Sequence, residues 1–366
     1  MARFSNTCYT NIMYRPIFTI TDNILRRIAK IEELRSLART YRILPEREAF
    51  IHKRATVEAT HSSTSIEGNR LSLKQVEKVL RSKTNLTKEQ YAEIEVKNYK
   101  NSLDWISKRK LTNKPLCIED ILELHRIITN SLLDDARSGR FRQNPVYVVN
   151  QNDEIIYEAP ESPDVEPALK DFFAWLNSPE NKVHPVIIAG ILHYAIASIH
   201  PFADGNGRTA RAAVSLYLSL INYDFRESLV LDSYYAVDKK AYYEALKTTQ
   251  QGNYSKAKNA DLTLWLGYFI EGFLSSVEIL MLELNALSMI QGDEIPRRLS
   301  KDESDIISYV AEFGSINLSE AQEILPEVSR RTLQRIISKL VGDGYLEADG
   351  SGPATKYVLI SKKVSK

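Results

Sequence analysis

The chain has 366 residues, 43% of them hydrophobic and 26% charged, which allows two or three packed domains and excludes a disordered or collagenous class. Lys and Arg total 48 against 47 acidic residues, so no global field gathers the chain onto nucleic acid or an anionic membrane, and any such binding must be local. Two cysteines, Cys8 and Cys117, far apart in sequence, exclude a disulfide framework and fit a reducing cytoplasm.

Helical periodicity dominates the first 130 residues, with apolar positions at three and four spacing over 24–37, 46–65, 73–80, 89–106 and 118–132. The one clear break comes at 139–160, where Val146 to Val149 and Ile155 to Tyr157 flank the polar residues 150–153, a strand, turn and strand pattern. Helices resume at 165–176, 185–198, 208–221, 239–249 and 262–289. Residues 291–296 read as a linker. Beyond them come helices at 302–312, 319–324 and 330–343 and two short strands around a Gly-Ser-Gly turn, the order of a winged helix-turn-helix. The N-terminus lacks the pattern of a secretion signal, and no apolar window reaches membrane-spanning length, the longest being 186–199 with His193 inside it. These features predict a cytoplasmic protein with no membrane partner.

One loop concentrates chemistry. His200 ends an apolar helix, and Pro201 makes further helix costly, so the imidazole stands at the mouth of a turn. Gly205-Asn206-Gly207 follows, and a helix then begins near Arg208 with unpaired amides and its positive dipole end aimed at the same loop. Arg208 and Arg211 share one face and can hold polyphosphate oxygens bidentately. Asp204 is a lone carboxylate beside them, the usual provision for Mg²⁺ carried on phosphates. His200 is the residue able to act as a base near neutral pH. Residue by residue, a plain helix corner explains each of these; nine specified residues within twelve positions favour a phosphate site.

The segment His200-Pro-Phe-Ala-Asp204-Gly-Asn206-Gly-Arg208-Thr209-Ala210-Arg211 resembles the signature of the Fic family, and the likeness extends over roughly residues 55–280. It implies a mainly α fold, a Fic helical core with one β-hairpin flap, to which the pattern adds the small C-terminal winged helix-turn-helix domain. It implies a protein adenylyltransferase that moves AMP from ATP to a Ser, Thr or Tyr hydroxyl of a target protein, or of itself. By that likeness His200 is the base, Asp204 holds Mg²⁺ (or Mn²⁺ in its place), and Asn206 with the amides of Gly205 and Gly207 binds the α-phosphate. Arg208 and Arg211 take the outer phosphates, with Thr209 and Ala210 between them. Tyr157 and Glu158 on the flap border the nucleotide, and Tyr242, Tyr243 and Gln250 line its adenosine side. A homodimer is implied as well. A kinase-like branch of the family replaces the second motif glycine with lysine and lacks the last arginine; Gly207 and Arg211 are both present here.

Helix 46–65 runs into Ser63-Thr-Ser-Ile66-Glu67-Gly68-Asn69, which by itself is a C-cap with glycine as the left-handed stop. It also resembles the inhibitory motif of Fic proteins placed before the core, with Ser63, Glu67 and Gly68 as its marked residues. A glutamate delivered to Arg211 would occupy the place of the γ-phosphate. The same residue could instead position a water for removal of AMP, so restraint and reversal both stay open.

The segments are therefore an N-terminal helical region, 1–110, a catalytic core, 111–290, and the winged helix, 297–366. From Arg297 onward there are 11 basic and 10 acidic residues, with Arg330, Arg331, Arg335 and Lys339 on the third helix, so DNA and protein contacts are both open to it. His193, two turns before His200, reads as a core residue. Rival readings are a regulator that senses nucleotide without catalysis, which would need no base at His200, and a transferase using another donor.

Overall fold

The computed structural model describes residues 14–41, 43, 45–82, 87, 89–149, 154–289, 300–343, 345–350, 352 and 355–359. Cys8, the flap turn at 150–153 and the linker at 291–296 lie outside them. The protein is mainly helical, as the periodicity predicts. In chain order come α1 (Asp22–Thr40), α2 (Pro45–Ile66), α3 (Leu73–Arg81), α4 (Tyr91–Lys110) and α5 (Ile118–Ile128). The hairpin β1 (Tyr147–Val149) and β2 (Ile155–Glu158) follows, then α6 (Ser162–Leu176), α7 (Pro185–Ile199) and α8 (Asn206–Leu220). After these come α9 (Asp232–Val237), α10 (Lys239–Gln250), α11 (Tyr254–Ala257) and α12 (Thr263–Met289). The chain closes with α13 (Lys301–Phe313), α14 (Leu318–Ile324), α15 (Arg330–Gly342), β3 (Leu346–Asp349) and β4 (Lys356–Leu359).

Contacts divide the chain into two units, Met1–Ile31 with His52–Ser276, and Glu32–Ile51 with Val277–Lys366, a division that differs from the segments 1–110, 111–290 and 297–366. In the first unit α7 is buried on nearly all sides, which explains a sequence apolar all round rather than striped. It packs on α8, and α4 and α5 cover α8 from the other sides. The close approach of α12 to α7 depends on Gly190: a Cβ there would lie 2.8 Å from Leu266 Cδ2 and 3.0 Å from Phe269 Cδ1, while Trp265 Nε1 donates to the Gly190 carbonyl at 2.8 Å.

Helix α12 corrects the expectation that no apolar stretch is long enough to cross a bilayer. Its residues Thr263–Asn285 pass that test by length and composition, with a mean hydropathy of 1.3. More than half of that window, 56%, is buried inside the protein, and Trp265, Leu266, Phe269, Ile270 and Phe273 are core residues, so the apolar length serves packing. Helices α9 and α11 are short elements that periodicity does not single out; Asn253 caps α11, its side chain accepting from Lys256 N.

The flap pairs Tyr147 with Glu158 and Val148 with Tyr157 in antiparallel register. It is tied down at its base, where Glu158 N donates to Gly252 O at 2.9 Å and the buried Tyr157 hydroxyl donates to Ser198 O at 2.7 Å. In the second unit, α13, α14 and α15 start on the side-chain caps Ser300, Asn317 and Ser329. Their apolar faces meet β3 and β4 in one core that includes Ile306, Val310, Ile316, Leu333, Ile337 and Leu346. Ile316 also exchanges both main-chain hydrogen bonds with Tyr357 of β4.

Candidate active site

The loop between α7 and α8 is held by its own side chains. His200 is the C-cap of α7 with φ 51 and ψ 58, a left-handed conformation that is strained for a histidine before proline. Arg142 over-determines it. The Arg142 guanidinium donates to His200 O at 2.8 Å, to Asn144 O at 3.1 Å and to Pro160 O, and its main-chain N–H donates to Pro201 O at 3.0 Å. The His200 ring is half-buried, and its Nδ1 lies 3.2 Å from Ala197 O, a spacing that suits an Nδ1–H donor and leaves the Nε2 lone pair to accept a proton. Burial pushes the His200 pKa below the ordinary histidine value, so the ring is neutral at pH 7.

Beyond Phe202 the backbone is pinned twice. Asn206 accepts from Phe202 N and donates to Phe202 O, both at 2.9 Å, so its carboxamide serves the loop and its main-chain amide is what remains for a ligand. His125 of α5 stacks on Phe202 with centroids 3.7 Å apart, accepts from Gly139 N at 2.9 Å, and places Nε2 2.9 Å from Asp204 O. Since Nδ1 accepts, Nε2 donates, and burial, the largest influence, lowers the His125 pKa to about 4. Gly205 has φ 76 and stands as the N-cap of α8 with no side-chain cap bond, so the first amides of α8 face the loop without an intrahelical partner. Thr209 spends its hydroxyl on Gly205 O at 2.8 Å, and Thr209 and Ala210 are both buried.

The charged groups are arranged in pairs. The Arg211 side chain is 0% exposed; its Nε donates to Ser63 Oγ at 2.8 Å, and its Nη2 donates to Ser63 O at 2.9 Å and to Glu67 Oε1 at 2.8 Å. Asp232 of α9 stands 3.8 Å from Arg211 Nε, itself held by the Tyr99 hydroxyl at 2.8 Å. Glu67 reaches Arg211 because α2 ends in a tight left-handed stop: Gly68 has φ 99, Asn69 N donates to Thr64 O and Gly68 N to Ser65 O. Glu67 lies so close over Gly207 that a Cβ at that glycine would sit 2.3 Å from Oε1. Arg208 is equally buried and pairs with Glu95 of α4, with Asp204 Oδ1 3.7 Å from its other nitrogen. Asp204 itself is 55% exposed in its side chain, and Gly205 N donates to it at 2.6 Å. Among the described residues no three acidic, histidine or cysteine side chains form a metal-binding group, so a cation here would take one protein carboxylate and otherwise phosphate oxygens, a donor set that suits Mg²⁺.

Helix α10 and strand β2 place some of their candidate residues in the core and others at the surface. Tyr242 is buried, with its hydroxyl 3.0 Å from His193 Nε2, and Tyr157 and Gln250 are buried on Ser198. Their rings and amide line the core beneath the site rather than an open face, because α7 carries Ser198 and His193 inward. Tyr243 and Glu158 are exposed, and Tyr243 donates to Ile66 O at 3.3 Å. His193 is a core histidine among Tyr235, Tyr242, Trp265 and Phe269, its pKa lowered by burial to about 3.

Residues 115–218, which hold this loop, match the model of the Fic/DOC family. They are a Fic domain. The Protein adenylyltransferase Fic of Drosophila mojavensis is 28% identical over 251 residues, 66% of this chain and 47% of that protein. That of Drosophila willistoni is 29% identical over 224 residues, 58% and 42%. The chain thus spans less than half the length of these two relatives. Two solved structures share the fold. A Fic family protein from Desulfovibrio desulfuricans superposes with a TM-score of 0.62 at 23% identity, covering 96% of this chain and 100% of that one. A Fic domain containing signaling protein from Bacteroides thetaiotaomicron gives 0.59 at 23% identity, covering 75% and 99%. The Fic domain so delimited contains His125, Arg142, His200, Arg208 and Arg211, whereas their charged partners Glu67, Glu95 and Asp232 lie outside it.

Proposed function

We propose that this chain transfers AMP from Mg-ATP to a hydroxyl of a protein, or of itself, and that Glu67 restrains the reaction. The observation that carries the reading is the juxtaposition of a neutral histidine, His200, with the uncapped N-terminus of α8, and of Glu67 with the one arginine, Arg211, at the next turn. His200 Nε2 takes the proton of a Ser, Thr or Tyr hydroxyl as its oxygen forms a bond to the α-phosphorus, and the bond to the β,γ-pyrophosphate breaks. The amides at the start of α8 hold the α-phosphate, and Arg211, once Glu67 has left it, holds the outer phosphate. Asp204 would carry Mg²⁺, which when bound neutralises charge developing on the phosphates. The names of the Drosophila relatives support AMP as the group moved.

The second unit is read as a winged helix-turn-helix, on the order α13, α14, α15, β3, β4 and the Ile316 to Tyr357 pairing. Arg330, Arg331 and Arg335 are exposed on α15 opposite its core face, which suits phosphate contacts on duplex DNA, and a steep salt dependence of duplex binding tests that role.

The transfer is tested with label from α-labelled ATP in wild type, Glu67→Gly and Glu67→Gly with His200→Ala. Label in the single variant and none in the double is expected. Label from γ-labelled ATP instead would make the chain a phosphoryl transferase, and silence with both labels would leave nucleotide sensing.

A further inference from the structure

Arg208 is not a solvated arginine awaiting phosphate. Its side chain is 4% exposed and donates to Glu95 Oε1, and the other Glu95 oxygen accepts from Asn69 Nδ2 at 2.7 Å. Asn69 stands two residues after Glu67, and its carboxamide and main-chain N–H are all engaged. Its Nδ2 also donates to Ala92 O at 2.9 Å, its Oδ1 accepts from Leu71 N at 3.0 Å, and its main-chain N–H closes the stop of α2 on Thr64 O at 3.2 Å. On the opposite side Lys239 and Tyr243 of α10 donate to the last carbonyls of α2, those of Ser65 and Ile66. Given these contacts, the end of α2 is fastened to α4 at the residue that follows Gly68, and Glu67 is delivered to Arg211 from that fastening.

We propose that Asn69 and Glu95 form a second arm of the restraint: Asn69 holds the end of α2 so that Glu67 reaches Arg211, and through Glu95 it keeps Arg208 turned away from phosphate. Both arginines of α8 are then controlled from one short segment, Arg211 directly and Arg208 by relay. Withdrawing the end of α2 frees both in one movement, whereas deleting Glu67 alone frees only Arg211. Asn69 and Glu95 touch no reacting atom and act as positioning residues. The inference rests on the reading of Glu67 as a restraint on AMP transfer, so its test includes a measurement that needs no transfer.

The full chain is compared as wild type, Asn69→Ala, Glu67→Gly and the double variant, by hydrogen exchange of the amides of 64–71 and by label transfer from α-labelled ATP. Asn69→Ala removes a hydrogen bond to a charged group, and the equilibrium constant for docking Glu67 falls about 10-fold. Exchange at 64–71 quickens by about that factor while α7 keeps its protection, transfer rises about 10-fold over wild type, and the double variant transfers faster than Glu67→Gly, because Arg208 is released as well as Arg211; a double variant no faster than Glu67→Gly removes the Arg208 arm. Glu95→Gln keeps the shape but exchanges one acceptor oxygen for an NH2 donor, so it loses either Asn69 or Arg208, and exchange at 64–71 quickens by less than in Asn69→Ala, which also loses the bond to Ala92 O. Unchanged exchange at 64–71 in Asn69→Ala overturns the proposal, as does quickened exchange spread equally over α7 and α8, which marks a general loss of stability. If Glu67→Gly transfers no label, the reading of the site fails, and exchange alone still decides whether Asn69 holds the end of α2.

Discussion

Replacing Glu67 by glycine should make the protein less stable alone and more responsive to nucleotide. The Glu67 carboxylate, 28% exposed, accepts a charge-assisted hydrogen bond at 2.8 Å from Arg211, whose side chain is fully buried. Such a bond contributes about 1.5–3 kcal/mol, and because Arg211 keeps Ser63 at 2.8 Å and Asp232 at 3.8 Å the loss falls at the low end, about 1.5–2 kcal/mol. Thermal unfolding reads this as a midpoint lowered by a few degrees. Added Mg-ATP at about 100 times its dissociation constant returns about 2.7 kcal/mol to a variant whose Arg211 is open, and less to wild type, where Glu67 must first be displaced. The same displacement predicts transfer about 10- to 100-fold faster in the variant. Glu67→Gln, which keeps a neutral hydrogen bond, should lie between the two. A variant as stable as wild type without nucleotide, and stabilised no more by Mg-ATP, would refute the claim that Glu67 and a phosphate compete for one guanidinium.

Other outcomes follow from the same geometry. Since burial lowers the His200 pKa below the ordinary histidine value, single-turnover transfer by Glu67→Gly should fall at a lower pH than a free imidazole titrates; a fall centred above pH 7 would contradict a neutral base. Gly207→Ala places a methyl 2.3 Å from Glu67 Oε1, the end of a flexible side chain that can give way, so its unfolding midpoint should drop by the same few degrees as Glu67→Gly and the double variant should drop no further. Arg142→Met removes the donor to the His200 and Pro160 carbonyls, and with about 1–3 kcal/mol of left-handed strain no longer held, transfer should slow about 10- to 100-fold with Mg-ATP affinity kept; equal loss of both would point to general unfolding. His193 stays neutral when folded, with a value of about 3, while the unfolded chain takes up a proton near 6.5, so stability is lost as pH falls below 6.5. Urea unfolding of His193→Phe should therefore lack about 2 kcal/mol of the decrease that wild type shows between pH 7 and pH 5, and an unchanged difference would refute it.

The loop was legible because its residues act where they stand in sequence: a histidine before proline, a glycine pair before a helix, two arginines one turn apart. Helix existence was legible for the same reason, since three and four spacing is local. What the residues pair with was not. Glu95 sits with Asn98 and Ser102 on the buried face of α4, and polar residues recurring on an apolar stripe are the signal that could have marked it. His125 and Arg142 act through stacking and main-chain contacts made across 14 to 79 residues, which no local pattern encodes. Tyr242, Gln250 and Tyr157 read as nucleotide neighbours by position, yet α7 turns Ser198 and His193 toward them and draws all three into the core. The length of α12 misled in the other direction, because a long helix whose residues are more than half buried inside the protein carries as many apolar residues as one crossing a bilayer.

The two carboxylates near Arg211 differ in a way that explains how a restraint can be reversible. A fully buried guanidinium left with no anion is costly, so some partner must always be present. Asp232 is buried, bonded to Tyr99, and sits at 3.8 Å, too far for a direct hydrogen bond but close enough to balance charge. Glu67 is the opposite: in direct contact, partly exposed, and carried on the turn just past the end of a helix. On the proposed reading, the first keeps Arg211 oriented whichever ligand is bound, and the second fills the position that a phosphate oxygen would take. Exchange of one anion for another leaves the buried charge paired throughout, whereas departure of Glu67 into an empty site does not. Release of the restraint is on this account tied to the arrival of nucleotide, and a signal that merely loosened α2 would raise activity most where Mg-ATP is already abundant.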